Sequence, residues 1–150
     1  MPYERLLQQG RIRRYQARPQ EVARLLQVAA RDLATADKLL PEDVDWTFNI
    51  VYNAVLQAAR ALVLHEGFRP RGAAQHRTIV LFCQEALGPE GRRQVNLFDQ
   101  MRRKRHRLVY EMVGLVSRQE AEQSLIFARA FVEDIRTRIT GQPRLELGKE

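Results

Sequence analysis

"VARLLQVAARDLATADKLL", residues 22–40, sets the architecture. Val22, Leu26, Ala29, Leu33, Ala36 and Leu40 follow one another at alternating intervals of four and three residues, which places them on one face of a helix. Pro19 begins the helical pattern and Pro41 ends it, because proline fits a first helical turn but cannot continue a helix interior. The same rhythm returns near the other end of the chain, in Ala121, Leu125, Ala128, Val132, Ile135 and Ile139. There Ser117 and Glu120 form a capping box that opens a helix, and Gly141 and Pro143 close it.

Between these two helices the pattern predicts three more. Residues 44–66 carry Val51, Val55, Ala58 and Leu62 on one seam and Trp46, Ile50, Ala61 and Leu64 on another. Two apolar faces imply a central position, with Trp46 in the core or at an interface. "GFRPRG" stops this helix. A shorter helix fits residues 75–87, "GPEG" makes a turn, and a fourth helix fits 91–113. No segment alternates apolar and polar residues in the manner of a strand. The fold class expected is therefore all-α, an up-down antiparallel bundle of four to five helices joined by short turns. Residues 1–18 are expected to form a mobile or partner-dependent basic arm, 19–140 the bundle and 141–150 a loose tail.

The 150 residues carry a net charge of +7 and suffice for one core. The basic balance favours acidic partners without choosing among them. Cys83 is the single cysteine, which excludes an internal disulfide and fits a reducing compartment. The N-terminus has no apolar signal region, and no run approaches the roughly 20 apolar residues of a membrane span. A cytoplasmic protein without a membrane segment is expected. The histidines and the cysteine have no metal-ligand spacing, and neither a phosphate loop nor a nucleophile elbow is present, so neither metal nor cofactor is expected.

In the fourth helix Phe98, Met101, Arg105, Leu108 and Met112 share one face. Arg105 thus interrupts an apolar stripe, while Arg103, Lys104, Arg107 and Glu111 fall on the opposite, solvated side. Arg102, His106 and Tyr110 run along the border. A buried unpaired charge is strongly unfavourable. Arg105 must snorkel, pair with a carboxylate such as Glu111 or Asp99, or face a cleft that takes phosphate. Asn53, between the two apolar faces of its helix, is either a buried polar link to the fourth helix or a site residue beside Arg105. His76 and His65 have adequate structural explanations, at a helix start and a helix C-terminus respectively. Arg11, Arg13 and Arg14 could add phosphate contacts or simply be solvated.

Several segments in order resemble the HEPN domain family. They are "EVARLLQVAARDLATADKLL" at 21–40, "FNIVYNAVLQAARALVLHEGFRP" at 48–70, "QHRTIV" at 75–80, "RRKRHRLVYE" at 102–111 and "SRQEAEQSLIFARAFVEDI" at 117–135. The resemblance implies a HEPN-like bundle that pairs as a homodimer. It further implies one of three roles: an RNA- or nucleotide-binding domain, a partner of a small nucleotidyltransferase in a toxin–antitoxin-like system, or a metal-independent ribonuclease toxin. The family's catalytic motif is an arginine, a polar residue directly after it and a histidine a few positions on. Arg105 and His106 match the first two. Tyr110, Glu111 and Met112 occupy the places where the histidine is expected, and Met112 stands where nucleotidylated toxins carry a tyrosine.

Histidine titrates near pH 6.5 and can exchange protons at neutrality, whereas tyrosine, near 10, is a poor base. The expected function is therefore RNA or nucleotide binding, non-catalytic and with a partner. A ribonuclease with a divergent site built from Arg105, His106 and Tyr110 is the alternative, and a structural dimerisation domain the third possibility. Arg102, Arg105, His106 and Asn53 are the residues expected to touch nucleic acid.

Overall fold

The computed structural model describes residues 2–110 and 114–141, with Val109 and Tyr110 described by backbone alone. Six α-helices are present among the described residues: α1 (Glu4–Gln8), α2 (Pro19–Leu39), α3 (Val44–His65), α4 (Gln75–Leu87), α5 (Arg92–Tyr110) and α6 (Arg118–Thr140). Two short strands, β1 (Ile12–Arg14) and β2 (Phe68–Pro70), pair antiparallel, and a 3₁₀ turn, Pro89–Gly91, leads into α5. The all-α bundle is as expected. The strand pair is not, because three residues are too few to display an alternating pattern.

α3 is the centre of the bundle and touches α2, α4, α5, α6 and β2. Its two apolar seams explain this: from Thr47 to Val63 most side chains are buried. Its start is set by Asp43, whose Oδ1 accepts from the Trp46 backbone N–H at 2.9 Å. Trp46 itself is 61% exposed, which excludes the core position among the two expected for it, core or interface. It belongs to the first turn of α3, where Val44 and Asp45 are also not fully buried; burial begins at Thr47. α2 lies along α3 through Val22, Ala29 and Ala36, with Leu26, Leu33 and Leu40 partly covered. The small alanines allow close approach. The capping box at Ser117 forms as read: Ser117 Oγ accepts from the Glu120 N–H at 3.1 Å, and Glu120 Oε1 accepts from the Ser117 N–H at 3.2 Å.

The N-terminal segment, expected as a mobile or partner-dependent arm, is docked on the bundle. Tyr3, Leu6 and Ile12 are buried. The Tyr3 ring stacks on Phe82 at 4.1 Å and its hydroxyl donates to Glu66 at 2.9 Å. β1 pairs Ile12 with Pro70, Arg13 with Arg69 and Arg14 with Phe68. Three apolar side chains and one strand pair hold the segment down, a set too sparse to register as periodicity. Met112, Glu111 and the tail from residue 142 lie outside the described residues.

Candidate functional site

The stripe on α5 forms as predicted at Phe98, Met101 and Leu108, all buried. Arg105 is half-buried between them. Its guanidinium carbon lies 5.8 Å from the centroid of the Tyr52 ring on α3, a cation–π arrangement. Its Nε is buried and has no hydrogen-bond partner. Neither carboxylate expected from the sequence is seen to relieve it. Asp99 is taken by Arg102 at 2.9 Å and Arg103 at 3.5 Å, and Glu111 is outside the described residues.

Tyr52 is buried, and its hydroxyl lies 3.1 Å from His76 Nδ1 at the start of α4. Burial pushes the phenol well above its ordinary range, against the opposing pull of Arg102 and Arg105. The hydroxyl therefore stays protonated, and it donates to Nδ1 or accepts from Nδ1–H according to the imidazole tautomer. Burial first, then the charges of Arg105, Arg60 and Arg102, hold His76 below the usual histidine range. Arg60, also on α3, has a second buried Nε with no hydrogen-bond partner. Three elements thus converge on one place: Tyr52 and Arg60 from α3, His76 from α4, and Arg102 and Arg105 from α5.

Asn53 does not join them. Its amide donates to Asp32 Oδ2 on α2 at 2.6 Å and its carbonyl accepts from Gln57 at 3.1 Å. The link it makes is to α2, not to the fourth predicted helix, α5. His106 is exposed, about 100° around the helix from Arg105. Tyr110 is the last residue of α5, and its side chain lies outside the described part. Lys104, expected on the solvated side, is instead ion-paired to Glu120 at the start of α6, across the hollow between α5 and α6. His65 is exposed, as its helix-end position suggests.

Tyr52 and Arg60 are candidate residues that the sequence pattern does not single out, and His76 is one that the sequence reading gave a structural role. A signal exists for two of them: a phenol and a guanidinium inside the apolar run of α3 both need a partner. A hollow of about 560 Å³ lies between α5 and α6 and does not include Arg105. Cys83 is buried, and burial pushes its thiol up to about 12, which makes it inert as a nucleophile.

The HEPN domain family model matches residues 22–138. This chain belongs to the HEPN domain family. Comparison with curated proteins finds no match. Membership supports a role connected with nucleotides or RNA in general. In this HEPN domain Arg105 lies over the ring of Tyr52, whose hydroxyl meets His76, and the charges of Arg60 and Arg102 are felt at the same histidine. Such a site can attract and hydrogen-bond phosphate oxygens. Among the described residues no cluster of histidine, cysteine and carboxylates could hold a metal ion, and no helix is long and apolar enough to cross a membrane.

Proposed function

We propose that this HEPN domain binds RNA or nucleotide through phosphate at the Arg105 face, without efficient cleavage, and acts with a partner such as a nucleotidyltransferase in a toxin–antitoxin-like system. The observation that carries the reading is the buried Nε of Arg105, which has no hydrogen-bond partner, in a region where His76 feels the charges of Arg105, Arg60 and Arg102 together. A guanidinium held in an apolar stripe with a free donor is costly unless an anion completes it. Tyr110 at the motif's histidine position supports binding over cleavage, because phosphodiester hydrolysis without a metal needs a group that exchanges protons near neutrality. Two copies are proposed to pair, as the family resemblance implies.

One observation favours the ribonuclease reading: in the tautomer that donates Nδ1–H to the Tyr52 hydroxyl, His76 keeps Nε2 free to act as a base where the motif histidine is missing. Both readings are separated by a single set of measurements with a labelled single-stranded RNA in metal-free buffer. Affinity is expected to fall steeply with salt. Arg105→Ala is expected to weaken binding about tenfold or more, the effect of removing one charge-assisted hydrogen bond. Lys38→Ala, which removes the same charge from the exposed end of α2, is expected to change it little. Tyr110→His is expected to raise cleavage. Equal affinity for Arg105→Ala and wild type, with helical content unchanged, would leave this arginine a purely structural role. Brisk EDTA-resistant cleavage that disappears in His76→Ala or His106→Ala would establish the nuclease.

A further inference from the structure

A second group of arginines faces a separate cleft, between the β1–β2 pair and helices α2 and α3. The cleft encloses about 250 Å³ and is lined by Tyr15, Glu21, Arg24, Arg60, Arg69 and Gln75, among others. Its charge is unbalanced. Among the described residues Arg24, Arg60 and Arg69 make no ion pair. The carboxylate of Glu21 is already engaged on both oxygens, by the Tyr15 hydroxyl at 2.6 Å and the Arg18 N–H at 2.7 Å. In the strand pair Arg69 stands directly opposite Arg13. Both guanidinium groups rest on the Tyr15 ring, at 5.0 and 5.6 Å from its centroid. Like charges directly opposite one another in a strand pair are destabilising. Arg60 forms part of the cleft with a buried Nε that has no hydrogen-bond partner.

We infer that this cleft is a phosphate-binding subsite, with Arg60 as the buried donor and Arg24 and Arg69 as exposed arms, and that it takes a second phosphate of the ligand held at Arg105. The inference rests on the phosphate-binding reading of the Arg105 face for its second part only. Arg60 links the two places: it lines the cleft and lies eight residues, about 12 Å along α3, from Tyr52, whose ring faces Arg105. The cleft is smaller than the roughly 300 Å³ at which pockets begin to enclose a small molecule. It therefore suits a phosphate group of a longer ligand rather than a whole buried nucleotide. Tyr15 precedes the stretch matched by the family, residues 22–138. The cleft is therefore completed by a segment outside that stretch, which gives the docked N-terminal strand a use beyond stability.

The phosphate can belong to an RNA chain or to a free nucleotide, and the test separates these sources. The probes are inorganic pyrophosphate, ATP and a short single-stranded RNA, titrated into the full chain labelled for observation of arginine Nε–H resonances. The double variant Arg24→Gln, Arg69→Gln changes only exposed side chains, so the fold is retained. The Arg60 Nε–H resonance is expected to move on titration. In the double variant RNA affinity is expected to fall about tenfold at low salt, and the slope of log affinity against log salt to shrink by roughly 0.7 for each phosphate that is no longer neutralised. Saturation at lower concentration by ATP than by RNA, weakened in the double variant, supports the subsite with a nucleotide as the source; the reverse order supports it with RNA. An unmoved Arg60 resonance with all three probes, together with wild-type affinity of the double variant, overturns the subsite. If Arg105→Ala still weakens RNA binding in that case, the Arg105 face stands without it. If Arg105→Ala is neutral while Arg60 responds, the subsite stands and the Arg105 reading falls.

Discussion

Arg105 and His76 are held in place by the same residue, Tyr52, the one through its ring face and the other through its hydroxyl. The pair has a consequence for pH. His76 is held below its ordinary range by burial and by Arg105, Arg60 and Arg102, while Tyr52 faces it as a neutral phenol. Its folded value is lower than its unfolded value of about 6.5, so the unfolded chain binds the proton first. The stability contributed by the neutral ring is full above about pH 6.5 and is lost as pH falls through that value toward the folded one. Urea midpoints measured across this range should decline more for wild type than for His76→Gln, whose amide can still hydrogen-bond with Tyr52. Parallel profiles for the two proteins would show that His76 titrates normally. Phosphate bound beside His76 should oppose the shift, since an anion favours the imidazolium. RNA affinity is then expected to rise as pH falls from neutrality.

At the scale of elements, α5 is fixed on two sides. Its apolar stripe rests on the core, and Lys104 reaches Glu120 in the capping box of α6. Glu120 thereby serves two purposes, closing the start of one helix and tying it to the other. Hydrogen bonds from Lys104 and Ser117 hold its carboxyl below the usual range. The strand pair and α1 matter in a different way, because they cover the end of the bundle near β2 and α4. Leu6, in α1, is only 4% exposed. Leu6→Ala is expected to cost about 2 kcal/mol, the lower end for a buried leucine since a short peripheral helix can relax into the space. Chemical denaturation checks this. A change within about 0.5 kcal/mol, normal for surface substitutions, would mean that the segment is loose in solution.

At the scale of the whole molecule, the apolar surface is uneven. Trp46 and Ile126 are large side chains left 61% and 66% exposed, and Ile126 borders the hollow between α5 and α6 together with Leu97 and Phe127. Single exposed apolar residues are ordinary; the group of Ile126, Leu97 and Phe127 beside α5 is where the proposed pairing of two copies can be tested. A two-fold axis there would double the Arg105 site and extend its positive surface. Sedimentation is expected to give a dimer at micromolar concentration and a monomer for Ile126→Glu. A wild-type monomer at high micromolar concentration would remove the homodimer from the proposal.

What the sequence determined by itself was local. The 3.6-residue period, prolines at helix boundaries, the Ser117–Glu120 box and the placement of Arg105 within an apolar stripe depend on residues a few positions apart, and all recur in the structure. Tertiary structure decided the partners. Asn53 turned to Asp32 rather than to α5, Lys104 to Glu120 rather than to water, and Tyr52 to His76. Such choices depend on how each helix is rotated and spaced against its neighbours, which no single-helix pattern encodes. The pairing of Ile12–Arg14 with Phe68–Pro70 belongs to the same class. A three-residue strand has no stability of its own and exists only because its distant partner lies beside it.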